Sequence, residues 1–264
     1  MKATNWRRSA DDYTIEWGGR GWTLDTSGGR IGPRTTDGGT QRLLVLSGLT
    51  ATGRREDAAF RADDLVGVEL LHSRVLATYA PRGWHGLTIR AAWGPSLDGD
   101  GLDLEVQAST STVGELRKLE IMVESTFIDT PGARSTTVEP RDRFAALLSY
   151  DGRESAEVLQ RLITAPVPAS SDHPFGPLAV PVEDATTYLE IVHPYDVSRR
   201  AVETLADGST IAATRYALFG YDLEKGVVLR GRLRGVWLAG PRADRSAIVD
   251  QHWRFLHEPP PLGG

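Results

Sequence analysis

Cysteine is absent from the chain, so no disulfide, thiolate nucleophile or thiolate metal site is available, and metal chemistry would fall to oxygen ligands and six histidines. A long apolar run is missing too. Nothing approaches the roughly 18 residues of a membrane span, and the opening MKATNWRRSADDYT has basic residues with no apolar segment behind them. Nor is there an excess of one charge: 30 Lys and Arg against 35 Asp and Glu leave a formal −5, with no overall pull toward nucleic acid or an anionic membrane. These absences predict a cytoplasmic chain with no nucleic-acid or membrane partner, no cofactor and no metal. Internal repeats, low-complexity tracts and linkers are also lacking, and 264 residues suffice to bury one substantial core, so the expectation is a single domain over 1–264.

What the sequence does have is alternation with period two. Leu102, Leu104, Val106 and Ala108 alternate with Asp103, Glu105, Gln107 and Ser109, the mark of a half-buried strand. The same pattern runs through Leu87, Ile89, Ala91 and Trp93, through Leu119, Ile121 and Val123, and through Leu189, Ile191 and His193. Trp17, Trp22 and the segment 42–49 read as early strands. Turn chemistry at Gly94-Pro95, Asp98-Gly99-Asp100-Gly101 and Asp207-Gly208 separates these runs and predicts antiparallel hairpins. Helical periodicity is confined to 155–163 and 243–257, the latter ahead of the stop Pro259-Pro260-Pro261. The Pro-rich segment 164–181 reads as a long loop across one end. The fold class is therefore all-β, a large antiparallel β-sandwich with one or two short helices.

Candidate functional residues fall into three groups. Trp84-His85-Gly86 precedes the Leu87 strand, where a loop would set an aromatic plate and an imidazole at a strand mouth; the plainer alternative is edge packing by Trp84 and a turn cap by His85. Asp172-His173-Pro174-Phe175 and His193-Pro194-Tyr195-Asp196 each pair an extended histidine with a nearby carboxylate, an arrangement suited to acid–base work. His193 also shares its strand face with Leu189 and Ile191, so an interior histidine stands as the other reading. In 226–237, Arg230, Arg232 and Arg234 share one face, opposite Val227, Leu229, Leu233 and Trp237. They read either as a clamp for a carboxylate, a phosphate or sugar hydroxyls, or, by preference, as a solvated face laced with Asp and Glu from a neighbouring strand. The Asp98–Asp103 stretch is a hairpin turn rather than a calcium loop, and no phosphate loop, G-x-S-x-G elbow or H-E-x-x-H is present.

The all-β pattern, His85-Gly86, His193-Pro194-Tyr195 and the LDLEVQAS run together resemble the galactose mutarotase-like superfamily, diffusely over 13–238. The resemblance implies a β-supersandwich with a sugar site on a concave sheet face. In aldose epimerases of that superfamily two histidines lie over the ring oxygen and anomeric hydroxyl, and a glutamate on a late strand acts as base. His85 would match the first histidine, and His193, or less well His173, the second. The glutamate has no counterpart: beyond Glu224 only Glu258 remains, beside the terminal prolines. Asp222, Glu224 and Glu190 are the stand-ins, although Glu190 has the strand phase opposite to His193.

The leading expectation is thus a carbohydrate-active or carbohydrate-binding protein for a sugar or sugar-containing small molecule. His85, His193 and His173 would carry acid–base chemistry of the aldose epimerase kind, and Trp84, Arg90, Tyr195, Arg230 and Arg232 would contact substrate. The alternative is a non-catalytic module or subunit that engages a protein partner, in a homo- or hetero-oligomer; a third reading is a purely structural protein pairing through sheet edges.

Overall fold

The computed structural model describes residues 2–10, 12–37, 39–53, 58–84, 86–113, 115–127, 134–138, 176–183, 186–204, 211–240 and 244–258. In chain order the strands are β1 (Arg7–Ser9), β2 (Asp12–Trp17), β3 (Arg20–Asp25), β4 (Gly32–Thr35), β5 (Arg42–Thr50), β6 (Ala58–Ala59), β7 (Leu65–Leu71), β8 (Arg74–Tyr79), β9 (Leu87–Pro95), β10 (Gly101–Thr110), β11 (Glu115–Thr126), β12 (Arg134–Val138), β13 (Leu178–Glu183), β14 (Thr186–Val192), β15 (Val197–Thr204), β16 (Ile211–Glu224) and β17 (Val228–Ala239), followed by helix α1 (Arg245–His257). Ten strands form the larger sheet in the order β1-β2-β3-β4-β5-β11-β16-β15-β12, with β6 beside β5, and seven form the smaller, β13-β14-β17-β10-β9-β8-β7. Every strand pair is antiparallel, as the hairpin chemistry predicts.

The inward set of β10 is the one its alternation predicts: Leu102, Leu104, Val106 and Ala108 are all buried in the space between the sheets. The Asp98 turn closes the β9–β10 hairpin, with Asp98 Oδ1 accepting from Ser96 Oγ at 2.6 Å and from the Asp100 amide at 3.0 Å. Gly94 and Pro95, expected in a turn, still pair with Asp103 and Leu102. Trp93 is core, as its phase with Leu87, Ile89 and Ala91 requires; its Nε1 donates to the Leu44 carbonyl at 2.9 Å. A cluster of rings also lies in the core, Trp17 with Trp22 at 5.3 Å, Trp17 with Trp237 at 5.9 Å and Tyr188 with Trp237 at 5.0 Å between centroids. Rings in such tilted and edge-on pairs add to the burial of their large apolar areas. Gly18 and Gly19 make the two-residue turn between β2 and β3 at φ +67° and +78°, values a type I′ hairpin demands and glycine meets without strain. Gly18 also abuts the Trp237 indole, where a side chain would collide.

Two expectations change. Residues 178–181 of the Pro-rich segment form strand rather than loop, and Pro181 is tolerated because β13 is an edge strand with β14 as its neighbour. β14 is buried on both faces rather than one: Tyr188, Glu190 and Val192 face the larger sheet, while Leu189 and Ile191 lie beneath α1 with Val236, Ile248 and Phe255. The helix predicted over 243–257 is present over Arg245–His257, capped by Asp244, whose side chain accepts from the Ser246 amide at 3.2 Å. The one predicted over 155–163 lies outside the described residues.

Candidate functional site on the outer face of the smaller sheet

The register of β10 against β17 sets Arg234 opposite Asp103, Arg232 opposite Glu105 and Arg230 opposite Gln107. Directly opposed residues share a face, so the polar phase of β10 and the arginine row of β17 form one charged surface, the side away from the larger sheet. Arg90 of β9, paired with Gln107, continues it. Arg234 grips Asp103 with two parallel bonds, Nε to Oδ1 at 2.6 Å and Nη2 to Oδ2 at 2.8 Å. Its guanidinium also donates to Glu258, Nη1 to Oε1 at 3.1 Å and Nη2 to Oε2. Burial alone would weaken this guanidinium's hold on its proton, but the bonds to Asp103 and Glu258 outweigh it and raise its pKa. Glu105, buried at the centre, is held by Arg230 Nε at 2.6 Å, by Gln107 Nε2 at 3.0 Å and by Arg74 Nη1 at 3.9 Å.

Helix α1 covers one half of this surface. Phe255 slides its ring under the guanidiniums of Arg232 and Arg234, 4.2 and 5.3 Å from its centroid, and its carbonyl accepts from Arg232 Nη2. Arg254 reaches Asp98 and Asp100 at 3.6 and 3.8 Å. The arginine row is therefore not the solvated face preferred from sequence: Arg234 is fully buried and Arg232 is 7% exposed. Strand neighbours supply the expected carboxylates, but the cover comes from a helix beyond the strand, which strand periodicity does not register.

At the uncovered end, β14 gives way to a 3₁₀ turn over Pro194–Asp196, with proline at its first position. The turn folds the carboxylate back, so that Asp196 Oδ2 accepts from the Arg232 amide at 3.0 Å and Oδ1 lies 4.0 Å from His193 Nδ1. Burial lifts the Asp196 carboxyl to about 6, against the downward pull of the Arg232 amide and of the Arg232 and Arg230 charges. Tyr195 is exposed beside His193, with 5.7 Å between ring centroids. From α1, buried His252 approaches the same end; desolvation, with the nearby His193, depresses its imidazole to about 4.

His193, Tyr195, Arg230 and Arg232, all singled out from sequence, thus meet at the junction of β14 and β17, with exposed Arg90 on the same face. Trp84 is buried and lines a different recess of 550 Å³ with Phe60, Leu49, Arg61 and Arg82. His85 and His173 lie outside the described residues. Sequence reasoning missed Arg74 and His252, and named Glu258 only to set it aside. The helical spacing of Ile248, His252 and Phe255 is the one signal that could have placed His252 on a packed face. Glu190, offered as a stand-in base, is buried between the sheets, as its strand phase predicts, and burial raises its pKa. Among the described residues no group of three or more His, Asp or Glu side chains is arranged to hold a metal ion, and no helix is long and apolar enough to cross a membrane.

No protein-family model matches the chain. No curated protein matches it in sequence. Solved structures do match in fold. An α-N-acetylgalactosaminidase of Bifidobacterium bifidum in complex with GalNAc superposes with a TM-score of 0.54 at 15% identity, over 92% of this chain and 38% of that one, so the chain spans well under half of the glycosidase. A putative aldose 1-epimerase of Escherichia coli K12 matches at a TM-score of 0.46 and 11% identity, over 86% of this chain and 99% of that one. A galactose mutarotase-like protein of Clostridium acetobutylicum matches at 0.41 and 8%, over 89% and 94%. At these identities the likeness is one of architecture alone, a large antiparallel β-sandwich.

Proposed function

We propose that the outer face of the smaller sheet binds a sugar or a sugar-containing metabolite, and that His193 and Asp196 exchange protons with it. The observation that carries this reading is their pairing, a carboxyl lifted to about 6 and 4.0 Å from an imidazole, at the uncovered end of a surface rich in guanidinium groups. Opening a sugar ring requires one group to take the proton of the anomeric hydroxyl and another to protonate the ring oxygen; both work best with pKa values near the operating pH. Arg230, Arg90 and Gln107 offer donors for hydroxyls, and the exposed ring of Tyr195 offers a plate for the C–H side of the sugar. The shared fold with a glycosidase whose structure holds GalNAc supports a carbohydrate ligand.

A second reading, binding without chemistry, is favoured by the helix over half of the face and by the 38% share of the glycosidase that this fold represents. One experiment separates the two. Anomerisation rates of a panel of aldoses are followed by exchange NMR with wild type, Asp196→Asn and His193→Gln, alongside binding. Acceleration by wild type that falls at least tenfold in both variants supports proton transfer. Saturable binding with no acceleration makes the chain a binding module, and absence of both discards the sugar reading.

A further inference from the structure

The contact between Arg234 and Glu258 has the form of a ligand contact. A guanidinium with one edge on a fixed carboxylate and the other on a removable one is how proteins hold carboxylate and phosphate groups. Asp103 belongs to the sheet and cannot leave. Glu258 is the cap residue of α1, tied by its amide to the Arg254 carbonyl at 2.9 Å, and lifting the last helical turn withdraws it. The same movement withdraws the Phe255 carbonyl from Arg232. Arg232 has a second feature: its Nη1 is buried and has no hydrogen-bond partner among the described residues, a donor the fold leaves unused although burying one is costly. Charge points the same way. With Glu258 lifted, the Arg232 and Arg234 guanidiniums would keep one hydrogen-bonded carboxylate between them among the described residues, Asp103, leaving one positive charge of the pair for one anionic group.

Resting on the sugar-binding reading above, we infer that Arg232 and Arg234 form a subsite for an anionic group on the sugar, a carboxylate or a phosphate, and that Glu258 is its internal stand-in. The helix that carries Glu258 is held to the sheet by Ile248 and Phe255 on Leu189, Ile191 and Val236, and its outer side, with Val249 and Trp253, faces solvent. A ligand entering past Arg230 would displace Glu258 by exchange of one anion for another, and α1 would loosen as it did so.

The test is calorimetric binding of glucose, glucuronate, glucose 6-phosphate and inorganic phosphate to the full chain, as wild type and as Glu258→Gln. The expected result is a gain of at least tenfold in affinity for an anionic sugar in the variant, with glucose changed by less than twofold. Whether glucuronate or the phosphate ester gains more tells a carboxylate site from a phosphate site. Hydrogen exchange of wild type at saturation gives a readout that needs no variant: amides of α1 exchange faster with the anionic sugar bound than with glucose. Glucose binding with no preference for the anionic sugars in either protein, and unchanged exchange in α1, overturns the subsite and leaves the sugar reading standing. Phosphate binding that tightens in Glu258→Gln without any glucose binding keeps the subsite and removes the sugar reading.

Discussion

Two clusters of buried charge flank the smaller sheet, one on each side, and they are built differently. On the inner side, Glu190 of β14 lies between the sheets with Tyr188, Tyr216 and Arg200; Thr214 Oγ1 donates to its Oε2 at 2.7 Å, and Arg200 Nη1 reaches the Gly176 carbonyl at 2.9 Å. Strands enclose it, and burial raises its carboxyl despite the hydroxyls and the Arg200 charge. On the outer side, Arg232 and Arg234 are buried to a similar degree, yet what covers them is a single helix laid on the face of the sheet. Desolvation on the inner side is a permanent property of the sandwich. On the outer side it lasts only while α1 is seated. Burial alone does not tell the two apart; the number of elements that must move to bring in water does.

Breaking the outer cluster should have the largest effect. Arg234→Met leaves Asp103 buried without its partner and is expected to cost about 3–5 kcal/mol in urea denaturation, whereas Arg234→Met combined with Asp103→Leu recovers most of the loss. A double variant as unstable as the single one would mean that packing under Phe255, not charge pairing, holds this region.

Titration sharpens the contrast at an intermediate scale. The folded-state pKa of Asp196 lies above its ordinary 3.8, so the fold binds its proton more tightly, and this stabilisation, complete below 3.8, is lost as pH rises through about 6. His252 is the reverse: depressed from 6.5 to about 4, it contributes stability above 6.5 that is lost as pH falls through about 4. The two slopes oppose each other over nearly the same window. Stability of Asp196→Asn should therefore fall on acidification between pH 6.5 and 4, and that of His252→Gln should rise, each by roughly 1–3 kcal/mol. Parallel pH profiles for the two variants would contradict the assignment.

The smallest effect is expected on the inner side. Because the Glu190 pKa is raised, its contribution is lost as pH rises through the folded value, and Glu190→Gln copies the protonated form. At pH 7 this variant should match or exceed wild type by about 1 kcal/mol or less in denaturant unfolding. A loss of more than about 2 kcal/mol would show that the carboxylate is ionised and paired with Arg200, which would make the inner cluster resemble the outer one.

Much of the fold was legible because strand physics is local. The alternation in 102–109, the Asp98 turn and the helix over 245–257 follow from residues close in sequence. The His193–Asp196 pair was legible too, since Pro194 favours a tight turn that returns the carboxylate to the imidazole. What could not be read was the second layer. Leu189 and Ile191 look alike in sequence whether water or Phe255 covers them, and Arg232 and Arg234 read as a solvated face until a segment more than ten residues away folds over them. Glu258 stood out only as a glutamate in the wrong place for a base; its partner is fixed by where α1 ends.

The order of the chain adds one consequence. α1 follows β17, so a growing polypeptide has all the described strands of the sandwich in hand before the helix is made. For that interval the arginine row stands in water, and it must neither collapse into the core nor recruit a stray sheet edge. Arg234 on Asp103 and Arg230 on Glu105 are contacts between adjacent strands and need nothing from the helix. A surface most of whose charges are matched before its cover is synthesised is one that tolerates being uncovered again.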